Sequence, residues 1–469
     1  MIKVKNSILV FIIVSLLLGC SETDKISTQN NNLSNIIKVK APFEMPEITL
    51  PVFPDKVFNI KDYGAVEGTE KNNGNAINKA IKACNKAGGG TVLIPKGYWF
   101  TGKIHFKSNV NLHLEEGAEL CFSDNPEDYL PAVQTSWEAF ECYNYSPLIY
   151  AFECKNIALT GQGKIKAEMD TWKKWFERTP AHLEASKQLY NMAAKEVPVK
   201  ERQMAVGKNH FRPQFIQFNR CSNILIEDIK IRNSPFWVIH LLKCTDAVVR
   251  RVDVYAHGNN NDGIDPEMTQ NLLVEDCIFD QGDDAIAIKS GRNHDGWRLH
   301  TPSKNIVVQN CEIREGHQLV AIGSELSGGV ENVYVHDCTF PMKEKTKLNN
   351  VLFIKTNLRR GGYVKNIYVE NIKAGKVRGG VLSIKTDRLY QWKDIVPTYE
   401  VRLTKIEGIY LKNIELDQAN IAIDITGESE EPIKNIKLEN IIVHKVINKT
   451  RNIENADSII EKNVVLGDI

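Results

Sequence analysis

The sequence predicts an all-β solenoid, a parallel β-helix forming a single domain, and three observations carry that prediction. The first is a seven-residue phrase, read as Asn223-Ile-Leu-Ile-Glu-Asp-Ile, that recurs with starts at Asp246, Asn271, Asn305, Asn332, Asn366, Gly408 and Asn435. Successive starts lie 23, 25, 34, 27, 34, 42 and 27 residues apart, the spacing of short stacked strands with insertions of varying length. The second is an octet starting at Ser234, Asn261, Asp283, His317, Asn349, Gly379 and Asn420, at intervals of 27, 22, 34, 32, 30 and 41. Its period follows that of the phrase, so it reads as a second strand of the same coil. The third is the column formed by the last residue of each phrase: Ile229, Val252, Cys277, Cys311, Cys338, Ile372, Ile414 and Ile441. Stacked coils place such side chains about 4.8 Å apart along one buried line.

Taken in order, the chain opens with Lys3 and Lys5, an apolar run over residues 8–18 and then Leu17-Leu18-Gly19-Cys20. The run is too short to span a bilayer and suits an export signal. The last four residues resemble a bacterial lipobox, which implies cleavage before Cys20 and lipidation of its thiol. The expected organisation is therefore a lipoprotein signal peptide over 1–20, a tether rich in Ser, Asn and Pro over 21–50 and a β-helix over 51–469. The protein is expected to be exported, held to a bacterial membrane by its lipid, and monomeric. Apolar residues at 76, 77, 80, 81 and 84 share one helical face, and a helix there would cap the open end of the solenoid. Gly88-Gly89-Gly90 ends that helix; no Gly-Lys-Ser/Thr follows, so it is not a phosphate loop. Residues 168–210 break the repeat with Trp172, Trp175, Leu189 and Tyr190 among Ala, Lys and Glu, a partly helical insertion whose aromatic residues are expected inside it. A second insertion covers 291–304.

With 59 basic and 58 acidic residues in 469, no global charge favours nucleic acid or an anionic membrane surface. Any anionic ligand must be held by local cations. Cysteine acts in the buried column as a small apolar side chain, so the ten cysteines are expected mostly as buried free thiols despite the exported setting.

The octet alignment concentrates chemistry. Its first column reads Ser234, Asn261, Asp283, His317, Asn349 and its second Pro235, Asp262, Asp284, Gln318, Asn350, so three carboxylates and a histidine fall on three consecutive coils. Column seven adds Glu267, Lys289 and Lys355. Asp and Asn also cap solenoid turns, but caps would scatter over many coils. Carboxylates this close repel one another, so one of them is expected to titrate near neutrality, as a general acid requires.

Asn260-x-Asp262, Gly282-Asp283-Asp284, Gly316-His317-Gln318 and Phe353-Ile354-Lys355 resemble the motifs of glycoside hydrolase family 28, the polygalacturonases: Asn-x-Asp, Gly/Gln-Asp-Asp, Gly-His-Gly and Arg-Ile-Lys on a right-handed parallel β-helix. The likeness runs from about Phe58 to about residue 445 and includes residues 64–66 and 322–329. The resemblance implies hydrolysis of α-galacturonosyl linkages in pectin with inversion, without cofactor or metal. Asp283 would be the general acid, Asp262 and Asp284 would activate water, and His317 would tune the acid. Asn260, Lys289 and Lys355 are the substrate-binding candidates. Gln318 and Phe353 depart from the motifs, and since phenylalanine cannot grip a carboxylate as arginine does, Arg359 and Arg360 are the candidate replacements. The alternatives are a hydrolase for rhamnogalacturonan or substituted pectin, a Ca²⁺-dependent lyase with Lys289 as base, and a non-catalytic adhesin. Insertions beside the cleft favour exo action.

Overall fold

The computed structural model describes residues 35–68, 71–340, 348–389 and 400–467; the expected signal peptide, Cys20 and residues 21–34 lie outside them. The chain winds into a right-handed parallel β-helix, the hand that parallel crossover connections adopt. The phrase strands pair in parallel through Ile224, Ala247, Leu272, Ile306, Val333, Ile367, Ile409 and Ile436, reproducing every interval read from the sequence. One further coil follows, with Ile459 opposite Ile436.

Each phrase opens with a residue at positive φ, for example Asn271 (58°), Asn305 (56°), Asn332 (56°) and Asn366 (57°). Asparagine tolerates that conformation better than most residues, and its amide adds a rung. Asn305 Nδ2 donates to Asn271 Oδ1 at 3.0 Å, Asn332 to Asn305 at 3.1 Å and Asn366 to Asn332 at 3.1 Å. The phrase therefore encodes the corner of the coil as well as its strand. All eight members of the Ile/Val/Cys column are buried. The nine described cysteines are free and buried, Cys277, Cys311 and Cys338 among them in the apolar column.

A third ladder carries no obvious repeat in the sequence. Seven short strands, among them Lys230–Arg232, Asp253–Ala256, Ile278–Gln281 and Glu312–Glu315, stack on a third face. Three to five residues are too few to display a periodicity. The helix Gly74–Lys86 buries Ala76, Ile77, Ala80, Ile81 and Cys84 over the N-terminal end of the core, the expected cap.

Two expectations change. The octet beginning at Ser234 is out of register by two residues, because Ile239 pairs with Ile264. Pro235 cannot donate to a ladder, so the strand starts beyond it, and Phe236 and Trp237 stand opposite Asn261 and Asp262. The expected tether also ends earlier than residue 50. Ile36–Ile37 pairs antiparallel with Ile48–Thr49, and Ile48, with Phe43, Leu50 and Phe53, covers the outward-facing Ala158, Leu225, Val248, Leu273 and Val307. Those apolar residues on the outer face of the phrase strands give the segment a surface to bury against.

The first insertion forms helices Asp170–Lys174 and Pro180–Ala194. Leu189 and Tyr190 join Trp137, Phe140, Phe211 and Phe236 in a separate apolar cluster, and Trp172 is fully buried against Tyr129 and Trp175. Its aromatic residues thus serve packing, Tyr190 in that cluster and Trp172 in the solenoid core. The hairpin Val133–Trp137/Phe140–Asn144 turns through Glu138 and Ala139, both at positive φ.

Candidate active site

The strand register carries the charged columns onto one surface. Ile264 pairs with Ile286, Ile286 with Val320 and Val320 with Leu352, which sets Asp262 opposite Asp284, Asp283 opposite His317 and His317 opposite Asn349. Backbone bonds hold the entry to each strand: Gly263 N donates to Asp284 O at 3.0 Å and His317 N to Asp283 O at 2.8 Å. Glycine is required where the turns touch, because a Cβ on Gly282 would lie 2.6 Å from the Gly258 nitrogen. Asp262, Asp283, Asp284, His317, Asn260, Lys289 and Lys355 all line one cleft of about 390 Å³.

Cations divide the carboxylates. Lys289 Nζ lies 3.3 Å from Asp262, 3.3 Å from Asp265 and 3.5 Å from Glu325, and 4.6 Å from the centroid of the Trp237 ring. Burial acts to lower its pKa, but the three carboxylates prevail and hold it well above the ordinary lysine range. Lys355 Nζ lies 2.9 Å from Asp284 Oδ2, and His317 Nδ1 lies 3.1 Å from Asp283 Oδ1.

The carboxyl that titrates near neutrality is Asp262, not the expected general acid Asp283. Burial pushes Asp262 up to about 7, with Asp283 and Asp284 adding repulsion that Lys289 and Lys355 only partly offset. Burial also acts to raise Asp283, but its hydrogen bond to His317 and the nearby lysines outweigh that and bring it below its ordinary value. His317 is raised, first by the same bond to Asp283. One proton is therefore held by the Asp283–His317 pair and another by Asp262 together with Asp265, whose carboxyl burial and the adjacent Asp262 hold well above its ordinary value.

Other expectations are corrected. Arg360 lies outside the cleft: it is 3% exposed, bonded to Asn293 Oδ1 at 2.6 Å, and lowered to about 9 by burial and by repulsion from Arg292. Arg359 is likewise not among the cleft residues. Glu267 is buried against His240 at 2.9 Å rather than set on the catalytic surface. Lys289, caged and held protonated, is unsuited to act as the base of a lyase or to reach out to substrate; it positions Asp262 instead. Asp283, Asp284 and His317 hold donor atoms within 4.8 Å of one another, but His317 bonds Asp283 Oδ1 and the Lys355 ammonium lies 2.9 Å from Asp284 Oδ2, so an imidazole among the donors and a lysine beside them make the set a poor cradle for a hard cation.

The cleft also contains residues that the sequence motifs did not single out. Trp237 enters through the two-residue register shift, while the fully buried Asp265 lies below the cleft, 3.3 Å from Lys289 Nζ. Glu325 comes from the 322–329 run and is held far below its ordinary value: burial opposes this, but Arg292, Lys289 and Arg360 prevail. The inserted segments contribute Glu138, Arg178 and Arg292. Glu138 accepts from Arg292 at 3.1 Å, and Arg178 is exposed.

These segments are joined by a buried charge network. Asp295, on the helix Asn293–Leu299, pairs with Arg202 at 2.6 Å with both side chains 1% exposed, and accepts from the Glu141 amide at 2.9 Å. Glu141 in turn meets Lys243 at 2.5 Å, Arg298 at 2.6 Å and Arg220 at 3.0 Å. Burial alone would raise its carboxyl, yet these cations bring it to about 2.

A profile described as glycosyl hydrolases family 28 matches residues 200–463, and one described as rhamnogalacturonase A/epimerase, pectate lyase-like, matches residues 57–113. The structure of a hyperthermoactive exopolygalacturonase from Thermotoga maritima superimposes with a TM-score of 0.79 at 35% identity, covering 88% of this chain and 94% of that one. The polygalacturonase of Erwinia carotovora ssp. carotovora shares the fold, with a TM-score of 0.65 at 18% identity over 90% of this chain and 100% of that one. An exo-poly-alpha-D-galacturonosidase of Dickeya chrysanthemi is 28% identical over 415 residues, 81% of this chain and 65% of that protein. On the profile match and the 35% identity across nearly the whole solenoid, the chain belongs to family 28 of the glycosyl hydrolases.

Proposed function

We propose that this protein hydrolyses α-galacturonosyl linkages in pectic chains, removing sugars from a chain end with inversion at the anomeric carbon. The observation that carries the reading is the meeting of Asp262, Asp283, Asp284 and His317 in one cleft bordered by inserted segments. When a sugar excludes water, the neutral carboxyl–imidazole form of the Asp283–His317 pair is favoured over the ion pair. The proton then stands on Asp283, which delivers it to the glycosidic oxygen as the C–O bond breaks. A water held by Asp284 and Asp262 adds to the anomeric carbon and gives its proton to Asp262, whose titration near 7 suits a base at neutral pH. Two carboxyl roles on opposite faces of the sugar are what inverting hydrolysis requires.

The exo reading draws on the walls around the cleft and on the exo-acting relatives. The test is product analysis on polygalacturonate and rhamnogalacturonan with protein lacking residues 1–20. Monogalacturonate from the first minutes, without an unsaturated chromophore and abolished by Asp283→Asn, is the expected result. An early mixture of oligomers would overturn exo action, and cleavage of rhamnogalacturonan alone would replace the substrate. Export and a lipid on Cys20 belong to the same proposal; fatty-acid labelling that persists in Cys20→Ala would refute the anchor.

A further inference from the structure

Beyond Lys355 the cleft continues toward the C-terminal coils into a second cavity of about 290 Å³, which shares Gln318, Asn349 and Phe353 with the first and adds Arg388. Phe353 is half-buried and stands between small neighbours, with Ala321 and Ser383 opposite it on the adjoining coils. Its ring is therefore left as a flat apolar face at the junction of the two cavities. The acidic residue of the second cavity, Asp424, is already neutralised, accepting from Lys385 at 2.6 Å and from Asn452 at 2.9 Å.

Arg388 differs from the cations of the first cavity. Its backbone is fixed to the neighbouring loop, with its amide donating to Thr356 O at 2.8 Å and its carbonyl accepting from Asn357 at 3.1 Å. Its guanidinium remains 43% exposed, and among the described residues the acidic group it meets is its exposed neighbour Asp387, at 3.6 Å, a contact of little strength. A planar, permanently charged fork is suited to bidentate capture of a carboxylate.

We infer that this second cavity is a subsite for a sugar beyond the two that flank the scissile bond, in which Phe353 takes the apolar face of the ring and Arg388 takes the carboxylate of an unesterified uronate. The inference rests on the galacturonide reading above. It assigns to Arg388, one coil further on, the charge that Phe353 lacks.

The test compares the parent with Arg388→Gln, Arg388→Lys and Phe353→Ala on digalacturonate and pentagalacturonate, with free and methyl-esterified carboxylates. In Arg388→Gln the ratio of kcat/KM on the long chain to that on the short one is expected to fall about five- to tenfold. Methyl esterification is expected to lower that ratio in the parent and to have no further effect in the variant. Arg388→Lys should recover part of the loss, whereas Phe353→Ala should lower the ratio for both forms of substrate. A parent-like ratio in Arg388→Gln, or an equal loss on esterified chains, would overturn the subsite alone. A parent that cleaves neither galacturonide would overturn the reading beneath it, and the subsite with it.

Discussion

Asp262→Asn is expected to abolish turnover and at the same time to stabilise the fold above neutral pH. Asp262 is 4% exposed, and its Oδ1 has no hydrogen-bond partner among the described residues. Burial raises its titration from 3.8 to about 7, so ionising it in the folded state costs about 4 kcal/mol more than in the unfolded chain. Because the folded value lies above the unfolded one, the stabilising contribution is complete below pH 4 and is lost as the pH rises through 7. The parent therefore carries the full cost at pH 8, and asparagine, which cannot ionise, escapes it. Lys289 keeps Glu325, held ionised 3.5 Å away, as its partner in the variant. At about 2.1 cal/mol/K per residue, 4 kcal/mol corresponds to a rise in Tm of about 4 °C at pH 8 if the solenoid melts as a unit. The assay is thermal denaturation of parent and variant at pH 4, 6 and 8. A lower midpoint for the variant at pH 8, or a difference that does not change with pH, would refute the reasoning.

His317→Asn removes the group that shares its proton with Asp283, so the alkaline limb of the pH–rate profile should move downward as kcat falls by about 10²-fold, while the acidic limb set by Asp262 stays in place; an unmoved alkaline limb would contradict that role. In the parent the alkaline limb should lie above the ordinary histidine value, because His317 must keep its proton. Arg202→Ala leaves Asp295 buried without its closest partner, and a loss of about 3–5 kcal/mol should appear in melting, accompanied by early oligomeric products if the network shapes the cleft. Cys311→Ser places a hydroxyl in the apolar column and should cost about 1–3 kcal/mol. Cys311→Val should cost less than about 1.5 kcal/mol, and equal losses in the two variants would show that volume, not polarity, governs the column.

The coil was legible because its information is local. A corner asparagine, a β-branched strand and a buried last residue recur within seven positions, and the intervals between them became the register without correction from residue 223 onward. The catalytic columns followed because a register once known places Asp283 opposite His317. Trp237 was misplaced by a single chemical fact, the missing amide hydrogen of Pro235. The third ladder was invisible because its strands are too short to show alternation. Arg360 illustrates a different limit: an arginine in a loop reads as solvated or ligand-binding, and nothing nearby announces that Asn293, 67 residues earlier, will bury it. The tether was misjudged for the same reason, since the apolar patch that holds residues 36–53 is assembled from five separate coils. The network of Glu141, Arg202, Asp295 and Arg298 had no signature, because each residue alone is an ordinary surface charge.

That network also bears on the order in which the molecule is assembled. Neighbouring coils join residues 22 to 42 positions apart from Asn223 onward, so stacking can proceed as the chain emerges. The hairpin at 133–144 must instead wait for partners 154 and 157 positions downstream. At about 5–20 residues per second, Glu138 and Glu141 stay without those partners for roughly 10–30 s. The intervening coils shorten that search, because once stacked they carry Arg292 and Asp295 back to the hairpin over a few rungs instead of a flexible loop of some 150 residues. The reaction machinery is thus built by short-range winding, whereas the surface that selects what enters it closes only when distant parts of the chain have been delivered to one another.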